Sequence, residues 1–408
     1  MKRVAVLAVT FLGVLVITSC GGSSNSPGTG QKSGLQHRAF ISNAFSGRVQ
    51  IVDSQNDMQA VRQQQTVNSS GQTVTVTVPI AISLGNQSTW EILSSDRTTT
   101  AVFDPSTITL YFVTNSSETI AGSVNLGGPS DGGVYSSDSA TVYVPIRNMP
   151  VSGQRNGAIQ AVTASTATIA ATYPVPAVSS LAISTSGSYL LAFANNSDSV
   201  FVLNLKASTV TATEVPGFAR PVNALFTNDT TALVLNCGPE CGSTGAASVT
   251  QLDLSTLTVG ATVAVGGATV GLLNGGNLYV AGNPGPAGTV DLVNVSNMTR
   301  TTAQSIPISD GYHSKMAMAM NNKLYVGAKT CSNVTTGCLS VVALNTNTAD
   351  PPLPPNGPIT GMQAIPNRNT MYVIQNGFLV IYDTTTDMPQ ATQISFTGAV
   401  SDVVQVDP

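Results

Sequence analysis

Residues 178–217 read VSSLAISTSGS, YLLAFANNSDS, VFVLNLKAST and VTATEVPG. Each segment contains a short run suited to a β-strand and carries a cluster of Ser, Thr, Asn, Asp or Gly that favours a turn. Short apolar runs bounded by turn residues are typical of β-strands, so the stretch predicts four consecutive strands. Four short strands cannot bury both faces of the sheet they form, and the same order of segments returns along nearly the whole chain. The unit must therefore pack against copies of itself.

The repeat has a measurable period. A tight polar turn closes the first apolar run of each unit, and first members of successive turns are 42, 48, 42, 47, 46 and 46 residues apart. This spacing is typical of four-stranded propeller blades of roughly 40 to 50 residues. We therefore expect an all-β protein with a single β-propeller over residues 35–408. The seven turns are Asp96-Arg97, Asp138-Ser139, Ser186-Gly187, Asn228-Asp229, Gly275-Gly276, Asn321-Asn322 and Asn367-Arg368.

The two ends of the chain supply one further blade. Residues 37–43 and 48–53 read as second and third strands without a first strand before them, and residues 399–407 read as a first strand with nothing after it. Pairing of the C-terminal strand with the N-terminal blade would close the ring and remove its open edges. This predicts eight blades. Seven blades is the alternative if residues 59–92, which include QTVTVTV, contain a miscounted strand.

Recurring motifs add a resemblance to a known repeat. Third strands end in Asp53, Asp253 and Asp383, with Asn204, Asn294 and Asn345 taken as equivalents, and second strands contain LYV or MYV at residues 278–280, 324–326 and 371–373. This pattern resembles the YVTN-type β-propeller repeat found in lactonase-like proteins and in the β-chain of quinoprotein amine dehydrogenase. The resemblance implies the fold, and it leaves the activity open because such propellers include surface proteins, enzyme subunits and lactonase-like enzymes.

The N-terminus predicts export and lipid anchoring. Residues 1–3 are Met-Lys-Arg, and residues 4–17 form an uncharged apolar run of 14 residues, which suits a signal peptide and is short for a membrane span. Ile17-Thr18-Ser19-Cys20 resembles the bacterial lipobox, which implies removal of residues 1–19 and acylation, including palmitate, at Cys20. An ordinary secretory signal with a chance cysteine is the alternative. Residues 20–34 are Gly- and Ser-rich and predict a flexible tether. Gly21 favours the outer membrane in a cell with two membranes, and the periplasmic side of a bacterial membrane is the alternative.

The composition argues against nucleic acid as a partner. The net charge is −4, and Lys and Arg occur singly, so the sequence lacks the basic patch that is typical of nucleic-acid binding.

Four cysteines form two local pairs, Cys237 with Cys241 and Cys331 with Cys338, in two loops between second and third strands. In an exported chain this predicts two disulfides, with a four-cysteine zinc site as the alternative.

Candidate ligand-binding residues cluster, on this reading, at one end of the channel. The longer loops between second and third strands share one face with the connections between blades, and we call the end of the channel on that face the mouth. Because Asn also caps turns, turn chemistry is the alternative explanation for the asparagines in this set. The candidates are Asn43, Arg147, Asn148, Asn195, Arg220, Asn236, Asn283, Asp310, His313, Lys329 and Asn376.

Few residues suggest catalysis. The chain has only two histidines, so a histidine-built metal or haem site is not expected, and we predict no cofactor. Asp131 and Asp310 occupy equivalent connections between blades, where turn chemistry is the favoured explanation. Trp90, the only tryptophan, falls on a first strand and is expected in the core.

Two functions remain in view. The favoured one is an envelope lipoprotein that binds an unknown protein, peptide or glycan, or acts as a scaffold, with membrane lipid as its other partner. The alternative is a lactonase-like or other hydrolase that uses Asp310, His313, Lys315 and Arg220 at the mouth. An electron-transfer subunit is a third possibility that no haem or quinone motif supports.

Overall fold

The computed structural model describes residues 32–301, 305–332, 338–350 and 357–407. Within these ranges the secondary structure consists of strands and one 3₁₀ helix, Gly238–Cys241. Eight sheets of four or five strands form the blades of a ring, and one two-stranded sheet is separate from them. The predicted all-β propeller with eight blades is confirmed, and the seven-blade alternative is wrong.

Blade 1 contains the first and the last strand of the described residues, and blades 2 to 8 follow in chain order. Blade 1 and its insertion contain β1 (Arg38–Asn43), β2 (Arg48–Asp53), β3 (Met58–Gln59), β4 (Val61–Val67), β5 (Thr73–Pro79) and β6 (Ala81–Ser83). Blades 2 to 4 contain β7 (Trp90–Leu93), β8 (Thr99–Asp104), β9 (Thr109–Thr114), β10 (Thr119–Asn125), β11 (Val134–Tyr135), β12 (Thr141–Ile146), β13 (Ala158–Thr163), β14 (Thr168–Pro174), β15 (Val178–Ile183), β16 (Tyr189–Ala194), β17 (Ser199–Asn204) and β18 (Ala212–Pro216).

The remaining blades follow the same plan. Blades 5 and 6 contain β19 (Pro221–Asn228), β20 (Thr231–Asn236), β21 (Ser248–Asp253), β22 (Thr258–Ala264), β23 (Val270–Asn274), β24 (Asn277–Gly282), β25 (Gly288–Asn294), β26 (Thr299–Arg300) and β27 (Ile306–Ile308). Blades 7 and 8 contain β28 (Tyr312–Met318), β29 (Lys323–Thr330), β30 (Leu339–Ala343), β31 (Thr348–Ala349), β32 (Ile359–Ala364), β33 (Thr370–Gln375), β34 (Phe378–Asp383) and β35 (Met388–Pro389), and β36 (Val400–Gln405) completes blade 1.

Residues 178–217 form blade 4, with the four predicted strands in sheet order β15-β16-β17-β18. The second strand, β16, is buried at five of its six positions because neighbouring blades cover both faces of its sheet. Strands covered on both faces read as continuous apolar runs, which explains YLLAFA. The outer strand β18 is mostly exposed or half-buried, and it is correspondingly polar.

The chain ends close the ring as predicted. β36 pairs antiparallel with β1 in a register that places Ala39 opposite Gln405 and Ile41 opposite Val403. The side chain of Arg38 extends this seam, because its Nε and Nη2 donate to the Asp407 carboxylate at 2.6 and 2.9 Å. The last strand therefore occupies the inner position of blade 1.

The QTVTVTV segment explains the irregular spacing near the N-terminus. It lies in β5, which pairs only with β4 in a separate two-stranded hairpin. The hairpin interrupts the outer strand of blade 1, so that β3 and β6 both pair with β2 on either side of the insertion. The segment is therefore an insertion within one blade and adds no blade of its own.

Third strands end in a shared turn. The side chains of Asp53, Asp253 and Asn294 each accept a hydrogen bond from the backbone N–H two residues later, at 2.8 to 3.0 Å. The prediction of Asn345 as an equivalent position is wrong by two residues. The register pairs Ala343 with Lys323, as it pairs Asp383 with Thr370, so Ala343 occupies the equivalent place.

The predicted signal peptide, Cys20 and residues 20–31 of the tether lie outside the described residues. In the part of the chain that the structure describes, no helix has the length and apolar character required to cross a membrane.

Candidate functional site

A cavity of about 950 Å³ opens at the mouth. Residues at or just before the inner strand of every blade line it, because each inner strand begins on the face that carries the longer loops. We call this space the mouth cavity. Its volume lies within the roughly 300 to 1,000 Å³ of small-molecule binding sites.

Four cationic side chains line the mouth cavity: Arg147, Arg220, Lys315 and Lys329. Arg147 follows the second strand of blade 3, Arg220 precedes the inner strand of blade 5, and the two lysines lie on the first and second strands of blade 7. The lining contains two carboxylates, Asp131 and Asp402. The cavity wall is therefore formally positive in a chain whose net charge is −4.

The ion pairs of these cations are long. Arg147 Nη2 lies 3.4 Å from Asp131, Arg220 Nη1 lies 3.6 Å from Asp198, and Lys315 Nζ lies 3.4 Å from Asp402. Ion pairs near the surface contribute only about 0–1 kcal/mol, so these cations remain available to a ligand.

A buried acid lies behind Asp402. Burial, followed by the negative charge of Asp402, raises the pKa of Glu91 well above its usual value, against the opposing effect of Ser42. The backbone N–H of Glu91 donates to Asp402 Oδ2 at 3.2 Å. The protonated form of Glu91 is thereby favoured, and Asp402 is held against the inner strand of blade 2.

Both predicted disulfides are present. Cys237 is joined to Cys241 around the 3₁₀ helix, and Cys331 is joined to Cys338, each with Cα atoms 5.6 Å apart. Cys241 also lines the mouth cavity. The zinc alternative is wrong because all four sulfurs are bonded in pairs, and the described residues contain no cluster of three or more His, Cys, Asp or Glu that could hold a metal ion.

The predicted asparagines separate into two groups. Asn195 lines the mouth cavity, and its amide is oriented to donate to Ser179 Oγ at 3.1 Å and to accept from Arg147 Nε at 3.2 Å. Asn148 is exposed beside Arg147, in a smaller adjoining cavity of about 90 Å³.

The other four asparagines are not lining residues, and three of them have their side-chain amides engaged within their own loop or blade. Asn43 is fully buried, accepts from the N–H groups of Phe45 and Ser46, and donates to the carbonyl of Thr397. Asn236 donates to Ser248 and Thr250 within its own sheet.

Asn283 and Asn376 belong to turns. The amide of Asn283 is oriented to donate to the carbonyls of Gly285 and Ala287. Asn376 has a φ of 52° and precedes Gly377 in the two-residue turn between β33 and β34, where Asn-Gly is favoured. None of these four asparagines is among the lining residues of the mouth cavity, where the predicted ring of amides was expected.

The residues proposed for hydrolysis do not converge. Arg220 and Lys315 line the mouth cavity, whereas His313 is fully buried between blades 6 and 7, with Gly288 against its ring. Asp310 accepts from the backbone N–H of Ser332 and is not among the lining residues, unlike Asp131. Burial lowers the pKa of His313 to about 4, with Ser309 and Asp310 opposing the shift.

Trp90 has two roles. It packs in the core of blades 2 and 3, where its ring stacks on Phe103 with centroids 5.4 Å apart, as expected from the sequence. Its indole also forms part of the wall of the mouth cavity, and Nε1 donates to the carbonyl of Ser130 at 3.0 Å. Ser130 precedes Asp131, so the indole is linked to the charged part of the wall.

Comparison with solved structures shows the fold. Dihydro-heme d1 dehydrogenase NirN, determined in complex with DHE, is similar with a TM-score of 0.67 at 12% identity, over 94% of this chain and 78% of that one. A functionally unknown protein from Desulfotomaculum acetoxidans DSM 771 gives a TM-score of 0.54 at 15% identity, over 77% and 94% of the two chains. The shared property is the architecture.

Hydrazine synthase from Kuenenia stuttgartiensis gives a TM-score of 0.51 at 14% identity, over 68% of this chain and 90% of that one. No family model and no curated protein sequence matches the chain. The resemblance to the YVTN-type repeat therefore rests on the motifs quoted above.

Several residues of the cavity wall were not predicted from the sequence. Asp402, Ser401, Thr360 and Tyr312 all lie on inner strands, near the end that faces the mouth. A signal for them did exist, because the inner strand of each blade surrounds the channel and these strands were correctly located. Most of the predicted candidates lie at the ends of second strands instead.

Proposed function

We propose that this protein is exported, anchored through lipid on Cys20, and binds a ligand in the mouth cavity without transforming it. The observation that carries the binding role is the cavity itself. All eight blades contribute to its wall, and it opens on the face that carries the longer loops. A rigid scaffold with a concave site among loops is the usual arrangement for ligand binding.

The anchor and tether fit this role. Several acyl chains on one cysteine hold a protein firmly at a bilayer, because each buried CH₂ contributes roughly 0.8 kcal/mol. A Gly- and Ser-rich segment behind the lipid would let the propeller turn its mouth toward the envelope or away from the membrane.

Binding is favoured over hydrolysis because the candidate catalytic groups occupy different environments. Catalysis by a general base requires hydrogen-bond reach of roughly 3 Å to the reacting group. The buried imidazole of His313 is not part of the cavity wall, and Asp310 is engaged by the Ser332 backbone. The other two candidates, Lys315 and Arg220, line the cavity and suit ligand binding.

The experiment that tests this proposal fills the mouth cavity. Thr360 lines the cavity on the inner strand of blade 8, so Thr360→Trp would occupy ligand space. Full-length protein is isolated from detergent-solubilised envelopes, and molecules that co-purify are identified by mass spectrometry. We expect a ligand that is lost in Thr360→Trp and kept in Ser208→Trp, a matched variant at an exposed position outside the cavity.

The anchor is tested in the same preparation. Cys20→Ala should leave the folded protein out of the membrane fraction and without lipid. A co-purified ligand that Thr360→Trp retains, in protein whose circular dichroism is unchanged, would exclude the mouth cavity as the binding site.

A further inference from the structure

We infer that the ligand of the mouth cavity is an anion with at least two separated carboxylate or phosphate groups. This inference rests on the proposed function and adds the chemical class of the ligand. It depends on where the cations lie around the ring, on what already neutralises them, and on the guanidinium of Arg220 in the cavity wall.

The cations are spread around the ring. Arg147 belongs to blade 3, Arg220 to blade 5, and Lys315 and Lys329 to blade 7. Positive groups therefore line the cavity from every second blade between blades 3 and 7. A ligand with a single anionic group would meet only one of these positions. A ligand with separated anionic groups would meet two or three of them at once.

The carboxylates in the wall do not cancel this charge. Asp131 and Asp402 are the two among the lining residues, Asp198 pairs with Arg220, and Glu240 lies beside Tyr312. The wall itself thus contains four cations and two carboxylates, and Lys329 has no ion-pair partner among the residues that the structure describes. Burial raises the pKa of Glu91 behind Asp402, which disfavours a further negative charge there.

Arg220 supplies the more specific feature. Its Nε is buried and has no hydrogen-bond acceptor among the described residues, although its side chain is 22% exposed at the cavity wall. A buried donor without an acceptor is rare in folded proteins and costs stability. The backbone φ of Arg220 is 55°, which is unusual for arginine. The backbone N–H of Arg220 donates to Asp198 Oδ1 at 3.0 Å. The exposed part of the Arg220 side chain belongs to the cavity wall, and planar guanidinium groups bind carboxylate and phosphate through paired hydrogen bonds.

The chain contains its own reporter for this test. Trp90 is the only tryptophan, and it lies in the wall of the mouth cavity. Its intrinsic fluorescence is recorded while the full-length protein in detergent is titrated with trigalacturonate, tripolyphosphate or maltotriose. Trigalacturonate and tripolyphosphate distinguish carboxylate from phosphate, and maltotriose is the neutral control.

We expect a saturable change in Trp90 fluorescence with at least one of the two anions and none with maltotriose. Affinity should fall between 20 and 200 mM salt, because salt screens charge interactions of partly exposed groups. Arg220→Gln and Lys329→Gln should each weaken binding by about tenfold, whereas Lys206→Gln, an exposed lysine outside the cavity, should not change it.

Four outcomes would overturn the inference, and the first and the last of them leave the proposed function standing. Binding of maltotriose as tight as that of the anions would overturn the anionic ligand and leave a binding site in place. Unchanged anion affinity in both cation variants would place the anion elsewhere and also overturn the inference. Failure of both anions to bind overturns it as well. If the envelope ligand identified with Thr360→Trp is neutral, the proposed function stands and the charge inference fails.

Discussion

His313 shows how a single buried residue links the stability of the fold to pH. Its ring is fully buried between two blades, and burial lowers its pKa from 6.5 to about 4. Between these two pH values the unfolded chain binds a proton that the folded chain excludes. The folded state therefore loses stability as pH falls from 6.5 toward 4, by up to about 3 kcal/mol from this residue.

We expect His313→Gln to remove this part of the pH dependence. The variant should become more stable relative to wild type, in unfolding free energy, as pH falls from 7 to 4.5. Urea unfolding at pH 7, 5.5 and 4.5 measures the unfolding free energy of both proteins. The raised pKa of Glu91 has the opposite effect on stability, but this contribution is present in both proteins and cancels in the difference. A difference that is the same at all three pH values would show that His313 is accessible to protons in the folded state.

The polar residues near the mouth show that the sequence does not predict which of them line the cavity. Asn43 and Asn195 both end a second strand, yet the first binds three backbone groups of its own and a neighbouring loop, and the second faces the mouth cavity. The difference depends on loop conformation, which brings backbone groups within reach of one amide and not of the other. Asp402 was predictable in position, because its strand was recognised as an inner strand.

Among the elements, turns of successive blades are joined to the preceding blade by acidic residues. In blades 8, 1 and 2, the turn between third and fourth strands contains Asp387, Asp57 and Glu118, each with a φ of 53° to 56°. Each carboxylate binds a cation on, or in the turn just before, the second strand of the preceding blade. The three pairs are Lys323–Asp387, Arg368–Asp57 and Arg38–Glu118.

Two of these contacts include a buried tyrosine. Tyr372 Oη donates to Asp57 at 2.6 Å, and Tyr325 Oη donates to Asp387 at 2.7 Å. The three pairs join blades 7, 8, 1 and 2, which are the blades around the closure of the ring. Where the chain ends meet, charge-assisted hydrogen bonds therefore supplement the apolar packing between blades.

We predict that Asp57→Asn destabilises the fold by about 2 kcal/mol, because a charge-assisted network on Arg368 and Tyr372 is weakened while the left-handed backbone remains suitable for Asn. Asp53→Asn is the matched control. Asp53 caps the same turn from a half-buried position through a hydrogen bond that is itself exposed, and Asn294 occupies the equivalent place in blade 6. Its expected effect is below about 0.5 kcal/mol.

Urea unfolding of both variants measures this difference at neutral pH. Equal losses in Asp57→Asn and Asp53→Asn would mean that the contact between blades contributes nothing beyond the turn.

The same elements show why blades were predictable and the contacts between them were not. The seven turns between first and second strands were located correctly because they depend on residues adjacent in sequence. The partners Asp57 and Arg368 are separated by 311 residues. A pair of this kind becomes visible only when the number of blades and the register of each sheet are known.

At the scale of the whole molecule, stability depends on how a ring without a covalent link holds its first and last strands together. β36 pairs with β1, which buries Val400 and Val403 against blade 8. Arg38, at the start of β1, is only 8% exposed and bridges Asp407 at the chain end to Glu118 and the Asn115 carbonyl in blade 2. One guanidinium thus joins the last strand, the first strand and the next blade.

Removal of that guanidinium should therefore open the ring at one place. We predict that Arg38→Met destabilises the protein by about 3–5 kcal/mol, because it leaves the carboxylates of Asp407 and Glu118 without their shared, largely buried cation. Arg48→Met is the control, since Arg48 lies on the adjacent strand and is exposed. Urea unfolding followed by circular dichroism gives both values, and hydrogen exchange in β36 should rise in the first variant alone. Equal stability of the two variants would mean that strand pairing and apolar burial close the ring without help from charge.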